Sequence, residues 1–132
     1  FPGGKIDKGD SGPVAAALRE AQEEIGLDPS GVEILGIGAA YVTGTRYRIT
    51  PVVGLLPPDF VARPDPTEVA AVFETPLAML MTQANYQLQS AYYKGQRRHY
   101  YEMSHDGYRI WGVTAGILNR LRDTLYEDAA AV

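Results

Sequence analysis

The clearest pattern in the chain is an amphipathic helical repeat near its start. Apolar residues recur every three or four positions from residue 14 to residue 25, and this spacing predicts one α-helix. Pro13 is typical of a first helical turn, Asp10 or Ser11 is the expected cap, and Gly26 is typical of a helix end. The predicted core stripe of this helix comprises Val14, Ala17, Leu18, Ala21 and Ile25.

The rest of the chain alternates between strand-like runs and turn residues. Strands are predicted over residues 32–37, 47–56 and 68–74, a hairpin over 96–103 and 108–111, and a terminal helix over 114–126. Asp106 and Gly107 are the turn signal of the hairpin, and Pro76 begins a short helix. This order predicts the α/β class, as an α/β/α sandwich around a mixed sheet.

Composition narrows the class of protein. With 132 residues, the chain is expected to form one domain over residues 1–132, with a disordered tail at 127–132. The chain has no cysteine, which excludes disulfides and thiolate metal sites. A net charge of −4 does not favour nucleic-acid binding, and no apolar run approaches the length of a membrane span. A cytoplasmic location is a separate expectation.

Three carboxylates lie on one face of the first predicted helix. Glu20, Glu23 and Glu24 are spaced i, i+3 and i+4, and like charges at this spacing cost roughly 0.2–0.5 kcal/mol per pair. Oxygen ligands of this kind suit Mg²⁺ or Mn²⁺ rather than zinc. A solvated acidic face is the alternative, but a glycine pair at positions 3 and 4 accompanies the acidic run and favours a metal site.

The stretch from Phe1 to Leu27 resembles the signature box of the Nudix hydrolases. Its second half carries the family's residues at Arg19, Glu20, Glu23, Glu24, Gly26 and Leu27. In the first half Asp10 stands where the family usually has glutamate, and one extra residue separates it from Arg19. With these departures, the box resembles that of the coenzyme A diphosphatase branch of the family. Residues 50–54, 68–77 and 110–115 also resemble that branch. Because strands precede this glycine turn in the family, we expect further residues before Phe1.

The resemblance implies a Nudix-type sandwich and assigns roles in metal binding. Glu20 and Glu24 would be the principal ligands of Mg²⁺ or Mn²⁺, and Glu23 a third, either directly or through water. The backbone carbonyl of Gly3 or Gly4 would complete the set, since glycine lets the backbone approach metal and phosphate closely.

The resemblance also implies a catalytic group, with Glu20, Glu23 and Arg19 as its members. Arg19 would orient the carboxylates rather than touch the substrate. Glu20 is the first candidate for the general base, and Glu68 or Glu74 is the second.

The substrate expected from the branch is coenzyme A, split into 4′-phosphopantetheine and 3′,5′-ADP. Arg97, Arg98 and Tyr100 are candidates for contacting its 3′-phosphate and adenine, although a solvated hairpin flank explains the same pattern. Trp111 is expected in the core. Alternatives are NADH, ADP-ribose, a dinucleoside polyphosphate or a nucleoside triphosphate, or a Nudix-fold binding domain without catalysis. A homodimer is a further alternative that the sequence leaves open.

Overall fold

A computed structural model describes the backbone of residues 1–130 and the side chains of residues 1–126. The chain divides into two compact units, Phe1–Val72 and Phe73–Val132, and helices and strands occur in both, which confirms the α/β class. A single domain over 1–132 stays a prediction. Over the described residues, no helix combines the length and apolar character that crossing a membrane requires.

Helix α1, Pro13–Ile25, begins and ends where the sequence predicted. Gly26 adopts the left-handed conformation at φ 70°, and its N–H donates to the Gln22 carbonyl at 3.1 Å. The predicted cap was wrong, because Gly12 precedes the helix and no side chain caps it. The carboxylate of Asp10 instead accepts hydrogen bonds from Arg19 and from the N–H of Asp7.

The buried residues of α1 share only Ala21 with the predicted stripe of five. Ala21 is buried as expected, whereas Val14, Leu18 and Ile25 are only half-buried. Ala16, which the helical repeat places on the acidic side, is only 4% exposed. The acidic side of this helix is therefore partly covered rather than open to solvent.

Four short strands follow α1 in the first unit: β1 Glu33–Ile37, β2 Tyr41–Val42, β3 Arg48–Ile49 and β4 Val52–Leu55. They form two antiparallel pairs, β1 with β4 and β2 with β3. The strand predicted over 47–56 is thus broken at Pro51, which lacks the N–H that a ladder hydrogen bond needs. The two halves consequently pair with different partners.

A loop from residue 63 to residue 69 is bound to the end of α1. The N–H of Arg63 donates to the Ile25 carbonyl at 2.8 Å, and the N–H of Asp65 donates to the Glu24 carbonyl at 2.9 Å. These bonds satisfy carbonyls that the last helical turn leaves without partners. The strand predicted over 68–74 was wrong, because the N–H of Glu68 donates to the Asp65 carbonyl in a turn rather than to a sheet.

The second unit contains α2 Leu77–Leu80, β5 Gln87–Tyr93, β6 Gln96–His105, β7 Tyr108–Trp111 and α3 Gly112–Ala130. The three strands form one antiparallel sheet in the order β5-β6-β7. Asp106 and Gly107 form the β6–β7 turn as predicted, and both have positive φ. Helix α3 continues past the predicted end at Tyr126, and the rest of the expected tail, residues 131 and 132, lies outside the described residues.

One face of this sheet carries the core of the second unit. Its buried residues are Met81, Tyr86, Met103, Ile110, Ala115 and Leu118. Trp111 was expected in the core, but its neighbour Ile110 is buried and Trp111 is 50% exposed. Successive side chains of a strand point to opposite faces, so only one of the two can reach this core.

Candidate functional site

The carboxylate of Glu20 lies directly against the backbone of Gly4. A Cβ added at Gly4 would overlap Oε1 of Glu20 and would stand 2.7 Å from its Cδ. The Glu20 side chain is only 16% exposed. The glycine turn and the acidic helix, separated by 15 residues in the chain, are therefore in contact, as the sequence predicted from the paired motif.

Arg19 connects the glycine segment with the carboxylates of α1. Its Nη1 lies 3.1 Å from Oε1 of Glu20 and 3.4 Å from Oε2 of Glu23, and its Nη2 donates to the Lys5 carbonyl at 3.1 Å. A planar guanidinium with five donors suits such a network. The predicted orienting role of Arg19 stays a prediction, but its contacts reach two of the three acidic side chains.

Asp10 holds the other edge of the Arg19 guanidinium. Nε of Arg19 donates to Oδ1 at 3.1 Å, and Nη2 donates to Oδ2 at 3.0 Å. The Asp10 side chain is only 7% exposed. The hydrogen bonds from Arg19, followed by the one from the N–H of Asp7, hold the pKa of Asp10 below its usual value. Asp10 therefore forms a bidentate ion pair with Arg19.

Glu23 and Glu24 lie in different environments. The Glu23 side chain is 57% exposed, at the solvent side of Arg19. Glu24 is half-buried, and partial desolvation raises its pKa, with smaller contributions from the charges of Glu20 and Glu68 and an opposing hydrogen bond from the backbone of Gly3. Of the three glutamates, Glu20 has its carboxylate directly against the Gly-Gly turn.

The donor set suits a hard divalent cation, although its side chains are not arranged around one point. Among the residues that the structure describes, no three His, Cys, Asp or Glu side chains converge as a metal-binding group. Oxygens of Glu20 and Glu23 are within hydrogen-bond distance of Arg19 instead. An all-oxygen set on one helical turn, with Gly4 leaving room beside Glu20, nevertheless fits Mg²⁺ or Mn²⁺.

Replacing Glu24 with glutamine is expected to stabilise the metal-free protein. The folded pKa of Glu24 is raised, so its ionised form opposes folding at neutral pH, and this cost vanishes below the unfolded pKa of about 4.3. We expect Glu24→Gln to raise the free energy of unfolding by about 0.2–0.5 kcal/mol at pH 7 and to have no such effect at pH 3. Urea unfolding in EDTA at both pH values measures this difference.

Added Mg²⁺ should make the parent protein more stable than Glu24→Gln, which reverses the order expected in EDTA. It stabilises a folded state that binds it, so the parent should gain stability and Glu24→Gln should not. A less stable Glu24→Gln variant in EDTA at pH 7 would contradict this explanation of Glu24.

The two alternative base candidates lie in different units. Glu68 is in the first unit, on the loop bound to α1, and its charge makes a small contribution to the raised pKa of Glu24. Glu74 is in the second unit, exposed in the segment before α2. Only Glu68 shares a compact unit with the three glutamates of α1.

The three predicted substrate-binding residues of the hairpin do not share one face. Arg98 and Tyr100 are two residues apart in β6 and lie on the same face, whereas Arg97 lies on the other. The guanidinium of Arg97 donates to Oγ of Ser90 at 3.1 Å. Arg98 lies 5.9 Å from the ring centroid of Tyr93, which makes a cation–π contact. Arg98 and Tyr100 can therefore act together, and Arg97 cannot join them from its face.

Asp65 is a residue of this region that the sequence analysis missed. Its backbone binds Glu24, and its carboxylate closes the turn before Glu68. A signal was present, because Asp65-Pro66-Thr67 repeats the Asp-Pro-Ser pattern of residues 28–30, and aspartate before such a pair is typical of a side-chain-closed turn.

Comparisons with known proteins agree with the box described above. A family model for the NUDIX domain matches residues 1–95. Relatives named "Uncharacterized Nudix hydrolase NudL" from Escherichia coli K12, Escherichia coli O157:H7 and Shigella boydii serotype 18 are each 42% identical over 121 residues. The alignments cover 92% of this chain and 63% of each relative, so the chain spans less than two thirds of their length.

Proposed function

Because the chain belongs to the Nudix family, we propose that it is a metal-dependent hydrolase of diphosphate bonds. Its substrates would be nucleoside diphosphates linked to another group. The observation that carries this proposal is the contact between Gly4 and the Glu20 carboxylate, with Glu24 one turn further along the same helix. That arrangement gathers oxygen donors beside backbone that a phosphate can approach closely.

Glu20 and Glu24 would be the principal metal ligands in this proposal, with Glu23 a third and the Gly3 carbonyl a fourth. A bound Mg²⁺ or Mn²⁺ neutralises charge on the diphosphate and orients the leaving phosphate. Arg19 would release the Glu20 and Glu23 oxygens to the cation while Asp10 keeps its guanidinium in place. The backbone of Gly4 would lie next to the phosphates.

The reaction would be attack of water on one phosphorus of the diphosphate. The oxygen of water forms a bond to phosphorus, the bridging P–O bond breaks, and the departing phosphate takes the bond's electron pair. A carboxylate must accept the proton of the water. Glu20 is the first candidate because its carboxylate is at the glycine turn, and Glu68 is the second because its charge acts on Glu24.

Within this class, coenzyme A is the substrate that we propose. Support comes from the branch-like spacing around Asp10, and the paired Arg19–Asp10 geometry accommodates that spacing. The relatives' names give no substrate. The 3′-phosphate of coenzyme A would contact Arg98, and the adenine would stack on Tyr100, which is on the same face. We also propose a cytoplasmic location, and a homodimer stays an open alternative.

A substrate panel tests this proposal. The protein is incubated with Mg²⁺ or Mn²⁺ and equal concentrations of coenzyme A, NADH, ADP-ribose, a dinucleoside polyphosphate and a nucleoside triphosphate, and the products are separated by chromatography. The proposal predicts 4′-phosphopantetheine and 3′,5′-ADP as the dominant products. Preference for a substrate without pantetheine would support diphosphate hydrolysis but contradict coenzyme A as the substrate. Binding of nucleotides without hydrolysis of any member would indicate a non-catalytic domain.

Removal of the Arg98 charge should affect coenzyme A selectively. If Arg98 contacts the 3′-phosphate, Arg98→Ala loses one charge-assisted hydrogen bond, and KM for coenzyme A should rise about tenfold. Dephospho-coenzyme A lacks that phosphate and serves as the matched control, so its KM should not change. Equal KM changes for coenzyme A and dephospho-coenzyme A would show that Arg98 does not contact the 3′-phosphate.

A further inference from the structure

Lys5 follows the glycine pair directly, and different groups hold its backbone and its side chain. Its carbonyl accepts a hydrogen bond at 3.1 Å from Nη2 of Arg19, the arginine that also contacts Glu20 and Glu23. Its ammonium nitrogen lies 5.9 Å from the ring centroid of Tyr47. A lysine at this distance from an aromatic ring makes a cation–π contact. The residue after the glycine turn is therefore held at both its backbone and its side chain.

The backbone of Tyr47 is fixed by the turn between β2 and β3. Its N–H donates to Oγ1 of Thr43 at 3.1 Å, and its carbonyl accepts from the N–H of Thr43 at 2.9 Å. The N–H of Arg46 donates to the Thr43 carbonyl at 2.9 Å, and Arg46 has a positive φ of 66°. Tyr47 itself is 57% exposed. The turn therefore presents the Tyr47 ring at the surface from a fixed backbone.

The contact with Tyr47 leaves the positive charge of Lys5 uncompensated. Within the part of the chain that the structure describes, Lys5 forms no ion pair with a carboxylate. Asp7, two residues away, lies 3.4 Å from Nη2 of Arg19 instead. An aromatic ring attracts a cation through its quadrupole and has no net charge, so the ammonium keeps its full charge. Because Lys5 is also exposed, an anion from solution can reach it.

We propose that Lys5 binds the diphosphate of the substrate and that Tyr47 is the positioning residue that holds the Lys5 ammonium apart from the carboxylates of the site. The proposal rests on the proposed function and adds to it a cation for the substrate and the residue that orients this cation. The phosphates would approach the backbone of Gly4, whose Cα is about 3.8 Å from that of Lys5. A lysine ammonium binds phosphate as a point charge with three donors.

Lys8 provides the matched control charge. It lies in the same segment before α1, is exposed, and forms no ion pair with any carboxylate that the structure describes. Of the two lysines, only Lys5 follows the glycine pair and contacts an aromatic ring. A general electrostatic effect of this segment therefore predicts the same consequence for both lysines, whereas our proposal predicts an effect of Lys5 alone.

The test compares Lys5→Met, Lys8→Met, Tyr47→Leu and Tyr47→Phe. Affinity for inorganic pyrophosphate in the presence of Mg²⁺ is measured by isothermal titration calorimetry. We expect Lys5→Met to weaken this affinity about 10-fold, as loss of a charge-assisted hydrogen bond does. Tyr47→Leu removes the cation–π contact and should weaken it about 3-fold. Tyr47→Phe keeps an aromatic ring, and Lys8→Met keeps Lys5, so both should match the parent.

Three further measurements separate positioning from a structural effect. Because Lys5 and Tyr47 are exposed, their variants should keep the urea midpoint of the parent and should not weaken the binding of Mn²⁺, measured from the electron paramagnetic resonance signal of the free ion. Because Tyr47 acts through Lys5, Tyr47→Leu should cause no further loss of pyrophosphate affinity in the Lys5→Met background.

Four results would overturn the proposal: a parent protein that does not bind pyrophosphate, equal losses of affinity in Lys5→Met and Lys8→Met, additive losses in the double variant, or a parallel loss of Mn²⁺ affinity. A parent that binds Mn²⁺ and pyrophosphate but hydrolyses no diphosphate would instead contradict the proposed function. The comparison of pyrophosphate affinities would then still decide the roles of Lys5 and Tyr47.

Discussion

Replacement of Glu20 by glutamine is expected to lower turnover of coenzyme A by about 10³-fold, within the range of 10²–10⁴ for loss of a group that moves a proton in the reaction. Glutamine keeps the size of the side chain and one acceptor oxygen, but it removes the charge that a divalent cation requires. It also cannot accept a proton from water. Glu20 is expected both to bind the cation and to accept the proton. Glu20→Gln should therefore lower turnover more than Glu68→Gln does. Initial rates at saturating coenzyme A and Mg²⁺ measure the effect.

The same chemical change at Glu33 is the control for this experiment. Glu33 is an exposed residue of β1 in the same compact unit, so Glu33→Gln should retain the parent rate. If Glu20→Gln turns over near the parent rate, the assignment of Glu20 to the chemistry is wrong. A loss of turnover in Glu68→Gln but not in Glu20→Gln would instead indicate that Glu68 is the general base.

The second large effect is expected from a single added methyl group. Gly4→Ala places a Cβ where the Glu20 carboxylate now lies, and this carboxylate is the flexible end of its side chain. The fold should therefore survive, with a change in the free energy of unfolding of about 0.5 kcal/mol or less, while the carboxylate moves by roughly 1 Å or more. A misplacement of that size costs about 10²-fold in rate. Turnover and thermal unfolding of the same preparation measure the two quantities.

Gly9 provides the matched control for the added methyl. It lies in the same segment before α1, and a Cβ at Gly9 would meet no atom within 4 Å. Gly9→Ala should therefore leave both turnover and unfolding close to the parent. A Gly4→Ala variant with the parent rate would mean that the contact between Gly4 and Glu20 plays no part in the reaction.

The part of the site that sequence could predict is local in the chain. The bounds of α1 follow from Pro13 and Gly26, and the shared face of the glutamates follows from the helical repeat. The contact of Gly4 with Glu20 required the family resemblance, because helical spacing by itself does not bring residue 4 to residue 20. Local chemistry thus predicted the candidate ligands Glu20, Glu23 and Glu24, and the family motif predicted that the glycine turn lies beside them.

The errors arose where one group had two possible partners. Residues 68–74 have a strand-like composition, but the carbonyl of Asp65 accepts from the N–H groups of Glu68 and Val69, so these two groups are not available to a ladder. In the same way, the carboxylate of Asp10 pairs with Arg19 rather than capping α1. Composition does not show which hydrogen bond forms, because the partners are separated in the chain. Asp10 and Arg19 are nine residues apart, and Asp65 is three or four residues from Glu68 and Val69.

The position of a bound divalent cation decides whether the three glutamates of α1 form a metal site. Anomalous diffraction from crystals grown with Mn²⁺ locates that ion without any assumption about activity. We predict a manganese peak within about 2.0–2.3 Å of carboxylate oxygens of Glu20 and Glu24, beside the Gly3–Gly4 backbone. Mn²⁺ bound elsewhere, with Glu20 still against Arg19 and Glu24 without a cation, would contradict the metal site from which the proposed hydrolysis follows.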